Sequence, residues 1–421
     1  MRVLWITNIL MPEVCNELGH KPPVFGGWMS SSANYLASKP GCQLAIATTY
    51  NGKDLWWKKI GTVVFYLLPC SSKHMYYDKG LEMYWKNVKE QFQPDVVHIH
   101  GSEYPYGLAY VNACGSQGVV LSIQGMMSVY ANYYYGGLSC WNIIKNTTLS
   151  DIVLRRGLIF GKKEYEKKGE MEIELIKKIN HVIGRTSWDK LHSQSINHSI
   201  RYYFCNETLR PSFYDGQWVY ENCQKHTIFV PQAWYPIKGL HQILKAIPTI
   251  RDRYPDVKLR VAGANIVKYD SIKEAFFLTG YGKIIRNIIK NHNLEDCVQF
   301  TGLLDENGMK QEYLNANLFV CPSSIENSPN SLGEAQLLGT PCLSAYVGGV
   351  SDMITHGKDG YIYRFDDIEM LSEYVCYLFS LGREIQALSE NEKKVAMIRH
   401  DGENNVNRLM SIYESIYGGC K

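Results

Sequence analysis

Several features are missing from this chain, and each absence removes a class of protein. Its 12 cysteines run from Cys15 to Cys420 without a C-x-x-C pair or a dense framework, so the reduced thiols of a cytosolic protein are expected. No apolar run reaches the length that spans a bilayer, which argues against an integral membrane protein. The opening "MRVLWITNILMP" is apolar but is interrupted by Thr7 and Asn8 and has no small-residue cleavage site; a first strand is expected there, not a signal peptide. A formal charge of +3 without a single-sign tail is too small to make nucleic acid the main partner. No G-x-G-x-x-G follows the first strand, and Gly280-Tyr281-Gly282 lacks both the third glycine and a preceding strand, which disfavours dinucleotide binding.

What remains is a globular composition, 45% hydrophobic and 20% charged, in 421 residues, enough for two domains with separate cores. In the first half "VLWIT", "QLAIATTY", "TVVFYLLP", "DVVHIHG", "VVLSIQG" and "HVIG" read as strands, with helices such as residues 27–38 and 78–91 between them. A second series, "HTIFV", "VKLRVAG", "CVQFTG", "NLFVCPS", "PCLSA" and "GYIYRF", repeats the alternation with helices such as 239–251 and 305–315. The pattern predicts an α/β protein with two Rossmann-like parallel sheets. Their strand C-terminal ends would line a cleft, where ligands of this class bind. Pro211, Gly216 and weak periodicity place a linker near residues 210–224. The expected domains are therefore residues 1–210 and 211–400, with a helix at 401–421 able to cross back to the first.

The most informative stretch is "SSIENSPNSLGEAQLLGTPCLSAYVGG", residues 323–349. Ser328 suits an N-cap and Pro329 a first helical position, and the apolar residues from Leu332 to Leu338 precede Gly339 and Pro341. A helix starting there leaves the N–H groups of Asn330, Ser331 and Leu332 without carbonyl partners, at the positive end of the peptide dipoles. That end suits a phosphate. Glu326 before the turn and Glu334 within the helix could accept hydroxyls on either side of it, although an ordinary capped helix with two acids reads the same way.

Other candidates are weaker alone. Gly26 and Gly27 open a helix after a long loop, where backbone can approach an anion. Lys238 in "YPIKGL" precedes a helix, where its sign is mildly unfavourable for structure and useful for a phosphate. His98 and His100 share one side of a strand; with no third ligand in sight, cleft-lining hydrogen bonders are expected and no metal. Residues 155–170, "RRGLIFGKKEYEKKGE", interleave basic residues with Leu158, Ile159, Phe160 and Tyr165 and read as a solvated helix face or as a surface that rests on anionic membrane.

Together these motifs resemble the retaining glycosyltransferases of the GT-B fold, in the large family 4 that builds bacterial capsule and exopolysaccharide. Residues 322–363 are similar to that family's E-x7-E, G-T-P, G-G and D-G landmarks, "YPIKGLHQILKAI" to its P-x-K-G segment and Gly26-Gly27 to its first-domain glycine loop. The resemblance implies transfer of a sugar from a nucleotide-diphosphate sugar to a carbohydrate or lipid-linked saccharide acceptor, with no metal and no further cofactor. It places the enzyme in the cytoplasm, at the inner membrane face. By the same resemblance Glu334 would hold the ribose and Glu326 the donor sugar. Asn330, Ser331 and Leu332 would receive the distal phosphate with Lys238, Gly27 would pack on the diphosphate from the other domain, and Leu303 would lie near the base. Two positions depart from the family pattern. Ala233 stands where an arginine is usual, with Arg185 or Arg210 as candidate replacements, and Gln124 stands where a histidine is frequent near the reacting carbon. Glutamine cannot take a proton near neutrality. The chain also lacks a D-x-D motif. An epimerase or phosphorylase of the same fold, or a sugar-binding assembly subunit without catalysis, are the alternatives. A Glu334→Ala substitution is expected to weaken nucleotide responses and leave the melting temperature of the unliganded chain nearly unchanged.

Overall fold

The computed structural model describes residues 1–21, 27–70, 76–232, 234–268 and 277–419. Its strands are β1 (Arg2–Ile6), β2 (Gln43–Tyr50), β3 (Trp56–Ile60), β4 (Val63–Pro69), β5 (Val96–His100), β6 (Val119–Ser122), β7 (His181–Gly184), β8 (Arg201–Phe204), β9 (Gln224–Val230), β10 (Lys258–Val261), β11 (Val298–Phe300), β12 (Ala316–Cys321), β13 (Cys342–Ala345) and β14 (Tyr361–Tyr363). The first eight form one sheet in the order β3-β4-β2-β1-β5-β6-β7-β8, and the last six form a second in the order β11-β10-β9-β12-β13-β14. All pairings are parallel except β3 with β4. This is the two-sheet α/β architecture the alternating pattern predicts.

The central strands read as unbroken apolar runs because helices cover both faces of a parallel sheet: every residue of β5 and of β12 is buried. Edge strands lack that signal, and both edges of the first sheet, β3 and β8, escape the sequence pattern. β3, "WWKKI", exposes its two lysines, a common way to keep an edge from pairing further. One face of the first sheet is closed by the C-terminal helix Gly402–Gly419, whose Val406, Leu409, Ile412, Tyr413 and Ile416 join the core around Val3, Trp5 and Ile46.

The chain divides into two compact units, residues 1–130, 164–209 and 400–421 in one and 131–163 with 210–399 in the other. Residues 131–163 therefore pack with the second sheet, although by sequence position they fall in the first domain. The reason lies in backbone contacts. A side chain on Gly136 would meet the Pro236 carbonyl oxygen at 2.3 Å, the buried His241 ring bonds the Gly136 carbonyl at 2.7 Å, and Ser324 donates to the Tyr133 carbonyl at 3.1 Å.

Strand order reverses between β1 and β5 in the first sheet and between β9 and β12 in the second. Ligands of open α/β sheets gather at such points, beyond the strand C-terminal ends. The loop from Pro322 to Pro329, which carries Glu326, leaves the end of β12.

Candidate functional site

The second unit brings two of the predicted acids into ion pairs. Lys238 donates to Glu326 at 2.6 Å, with the two side chains 20% and 7% exposed. Arg210 grips Glu334 with two parallel bonds, Nε and Nη2 each at 2.8 Å; its guanidinium lies over the Phe213 ring at 4.6 Å. Such forked pairs fix geometry as well as charge.

The chain folds this way because two loops are pressed together. Gly239, with φ +70°, ends the short turn that carries Lys238, and a Cβ there would lie 1.6 Å from the Pro322 carbonyl oxygen. Only glycine fits both the left-handed backbone and the contact. Ser324 N–H then bonds the Ile237 carbonyl at 2.7 Å. From the other side, Gly349 N–H holds the Glu326 carbonyl at 3.0 Å, and a Cβ on Gly348 would lie 1.8 Å from the same oxygen. The "IKG" and "GG" glycines are thus a clamp on the Glu326 loop.

Electrostatics keeps the charges in place. Burial pulls the Lys238 ammonium toward neutrality, but the Glu326 carboxylate more than offsets it and holds the group above its ordinary range. Burial raises the Glu334 carboxyl, and Arg210 opposes that rise. Each Glu334 oxygen bonds one guanidinium N–H, and the Tyr313 hydroxyl also acts on the carboxylate.

Three expectations change here. The helix runs from Asn330 to Leu338 with Pro329, in extended conformation, as its N-cap and no side-chain cap, so it begins one residue later than Ser328 and Pro329 imply. Leu332 N–H is already bonded to the Pro329 carbonyl at 3.0 Å, because the first turn tightens to i→i−3 contacts. Among the described residues only Asn330 and Ser331 of that trio keep an N–H without a partner. Neither proposed replacement arginine stands open: Arg210 is clasped by Glu334, and Arg185 is held by Glu207 at 2.6 Å and by Gln124 at 3.2 Å. Ala233 and Gly26 lie outside the described residues, while Gly27 opens the helix Gly27–Ala37 in the first unit.

Leu303 is 64% exposed just beyond β11, where Gly302 bridges Gly263. The indole of Trp234 rests on Gly263, 2.2 Å from where a Cβ would be. Sequence alone did not single out Trp234; its signal, a tryptophan four residues past a strand end, is too common to weigh.

In the first unit Gln124 follows β6 and donates to Glu207 at 2.5 Å. His98 is buried with its ring nitrogens on Tyr413 and Ser122, each at 2.5 Å, and its ring lies tilted by 31° against that of His100, centroids 3.8 Å apart. Burial, with His100 beside it, holds His98 well below its ordinary value, and burial brings His100 to about 3. Both rings are neutral at physiological pH. No group of three or more metal-ligating side chains assembles among the described residues. Two acids missed from sequence, the buried Glu172 and the half-buried Glu103, stand near Gln124. Glu172 bonds Ser128 and the Met127 N–H. Burial pushes Glu103 up to about 7, aided by Glu172 and opposed by Arg185 and Lys168.

In the basic stretch beginning at Arg155, Leu158 is buried and Ile159, Phe160 and Tyr165 are half-buried.

Comparison with known proteins accords with this geometry. Residues 221–395 match the family model of glycosyl transferases group 1, a span that holds the second sheet and most of its helices. D-inositol 3-phosphate glycosyltransferase of Corynebacterium urealyticum is 25% identical over 43% of this chain and 41% of its own length. The capsular polysaccharide biosynthesis glycosyltransferase CapM of Staphylococcus aureus is 27% identical over 41% of this chain and 39% of its own. The chain thus spans about two-fifths of the length of these relatives. In structure, a sucrose-phosphate synthase of Thermosynechococcus elongatus superposes with a TM-score of 0.70 at 13% identity over 100% of both chains. HepE of Anabaena, solved with UDP and glucose, gives 0.63 at 13% identity over 99% of this chain and 100% of its own. The fold is GT-B.

Proposed function

We propose that this chain is a retaining glycosyltransferase of polysaccharide biosynthesis, moving a hexose from a nucleotide-diphosphate sugar to a growing, lipid-linked saccharide. The observation that carries the reading is the pair of clamped acids at the second sheet's switch point: Glu326 on Lys238 before an open helix start, Glu334 on Arg210 within it. Relatives named for capsular polysaccharide and amylovoran biosynthesis, and the UDP and glucose in the HepE structure, support the same class.

In this reading the distal phosphate sits on the N–H groups of Asn330 and Ser331, and the Lys238 ammonium faces the oxygen that gains charge as the glycosidic bond breaks. A cation and oriented N–H groups at that oxygen supply leaving-group stabilisation, so no metal step is invoked. Glu326 accepts hydroxyls of the donor sugar and Glu334 those of the ribose. Trp234 and Leu303, both exposed, follow β9 and β11 on either side of β10 and offer apolar surface to the base. The transition state is oxocarbenium-like, and the departing phosphate takes the acceptor's proton on the same face. Gln124 then orients a hydroxyl through hydrogen bonds and exchanges no proton. The reaction is placed on the cytoplasmic face of a membrane.

The test is a screen of nucleotide sugars followed by proton NMR of the first product in the presence of a chelator. Retained anomeric configuration and undiminished turnover are expected. Inversion, or activity restored only by a divalent ion, overturns the reading.

A further inference from the structure

Two short helices in the second unit turn their apolar sides outward. In Cys140–Asn146, Trp141 and Ile144 are 72% and 62% exposed; in Leu149–Val153, Leu149, Ile152 and Val153 are 78%, 56% and 70% exposed, and Leu154 follows at 47%. Positions i, i+3 and i+4 share a helix face. Trp141, Ile144 and Lys145 therefore form the outer face of one helix, and Leu149, Ile152 and Val153 that of the next. The inner faces are already filled by Ile143 and Asn146 and by Ser150 and Asp151, all buried. Isolated exposed apolar residues need no explanation, but a contiguous set on a surface does.

The display is held in place. Ser139 caps the first helix by accepting from the Asn142 N–H at 3.2 Å. Thr148 and Asp151 form a reciprocal capping box at the second, with both bonds 3.1 Å. The same Asp151 carboxylate accepts the Gly280 N–H at 2.8 Å, and Asn287 donates to Asn146 at 3.3 Å. These contacts tie both helices to the body of the unit, so the outward apolar face is a property of the folded state.

Its charges identify the occupant. Asp151 is the acid within residues 139–157 and is 2% exposed, whereas Lys145 and Arg155 stand exposed at the edges. A second copy docking about a twofold axis would set this patch against itself, placing Lys145 and Arg155 where the patch offers no exposed acid. A bilayer rich in anionic headgroups satisfies both the apolar face and the two cations, and tryptophan suits the headgroup boundary. We propose that the surface from Trp141 to Arg155 docks on an anionic lipid bilayer. The apolar side chains enter the boundary between headgroups and acyl chains, and Lys145 and Arg155 meet lipid phosphates. The proposal does not rest on the donor-site reading.

The test is co-sedimentation of the full chain with phosphatidylcholine vesicles, with and without phosphatidylglycerol. Binding is expected to the anionic vesicles and to weaken with salt. The double variant Ile152→Glu/Val153→Glu is expected to lose at least about tenfold in vesicle affinity, since it puts charge in place of two outward-facing aliphatic groups that would enter the bilayer. Lys145→Ala and Arg155→Ala are each expected to lose roughly fivefold on anionic vesicles only. Unchanged melting and nucleotide response would show that these variants remain folded. The proposal is overturned if the chain binds neither vesicle or if the double variant binds as well as the parent. It is also overturned if sedimentation equilibrium finds a dimer that the double variant dissolves, which assigns the face to a second copy.

Discussion

The acids beside the two candidate sites are held in different ways. In the second unit, acids near the switch point carry a cation: Glu326 has Lys238 and Glu334 has Arg210. In the first, Glu172 is satisfied by hydroxyls and two backbone N–H groups, Glu103 leaves Oε2 without a hydrogen bond, and His98 and His100 are neutral. The first unit has one such ion pair too, Arg185 with Glu207, but it is turned onto Gln124. A surface of fixed, paired charges is preorganised for a partner that itself becomes charged. A surface of neutral hydrogen bonders suits hydroxyl groups, which need donors and acceptors and no counter-ion.

Removing Glu334 puts the most strain on this contrast. Because Arg210 is gripped bidentately and largely buried, Glu334→Ala leaves an uncompensated cation and should cost about 3–5 kcal/mol of stability. That reverses the expectation of an unchanged melting temperature. The double variant Glu334→Leu/Arg210→Met should recover most of the melting temperature and none of the nucleotide response. Recovery of both in a thermal-shift series would reduce the pair to a packing element.

Lys238 sharpens the comparison at the level of chemistry. If its ammonium faces the departing phosphate, Lys238→Met should lower kcat by about 10²–10³ with a smaller change in KM, as loss of a transition-state donor does. Since Glu326 holds this ammonium above its ordinary range, the wild-type rate should show no loss from Lys238 on the mildly alkaline side of neutrality. A fall confined to KM in steady-state kinetics would make Lys238 a ground-state clamp for Glu326.

Sequence revealed the sheets and the landmarks of the second unit far better than the partners of either site. β5 and β12 were legible because two-sided burial writes continuous apolar runs, whereas β3 and β8, at the edges, carry no such run. Glu326, Glu334 and Lys238 stood out by spacing. Arg210, 124 positions from Glu334, did not, since no local periodicity links residues that far apart. The placement of residues 131–163 was hidden for the same reason: a glycine, Gly136, permits a backbone approach that only the folded chain displays. The tightened first turn that takes Leu332 out of the open N–H set depends on Pro329 adopting an extended backbone. Proline fixes φ and leaves ψ to its surroundings.

Glu103 offers the gentlest way to break the contrast, because it asks whether the first unit is neutral where it should be. The groups acting on it are Glu172, which raises its carboxyl, and Arg185 and Lys168, which lower it; burial dominates and the result is about 7 against an ordinary 4.5. Between those values the native state holds a proton that the unfolded chain has released, so stability falls as pH rises through this window and the penalty is complete above it. Glu103→Gln removes the ionisable group while keeping its shape. The variant should therefore melt about 2–4 °C higher than the parent at pH near 8 and with little difference near 5, taking about 1 kcal/mol as the recovered penalty. Melting curves across that range decide the matter. A constant offset would mean that Glu103 is ionised in the native state at every pH tested, and the first unit would then hold a charge there just as the second does at Glu326 and Glu334.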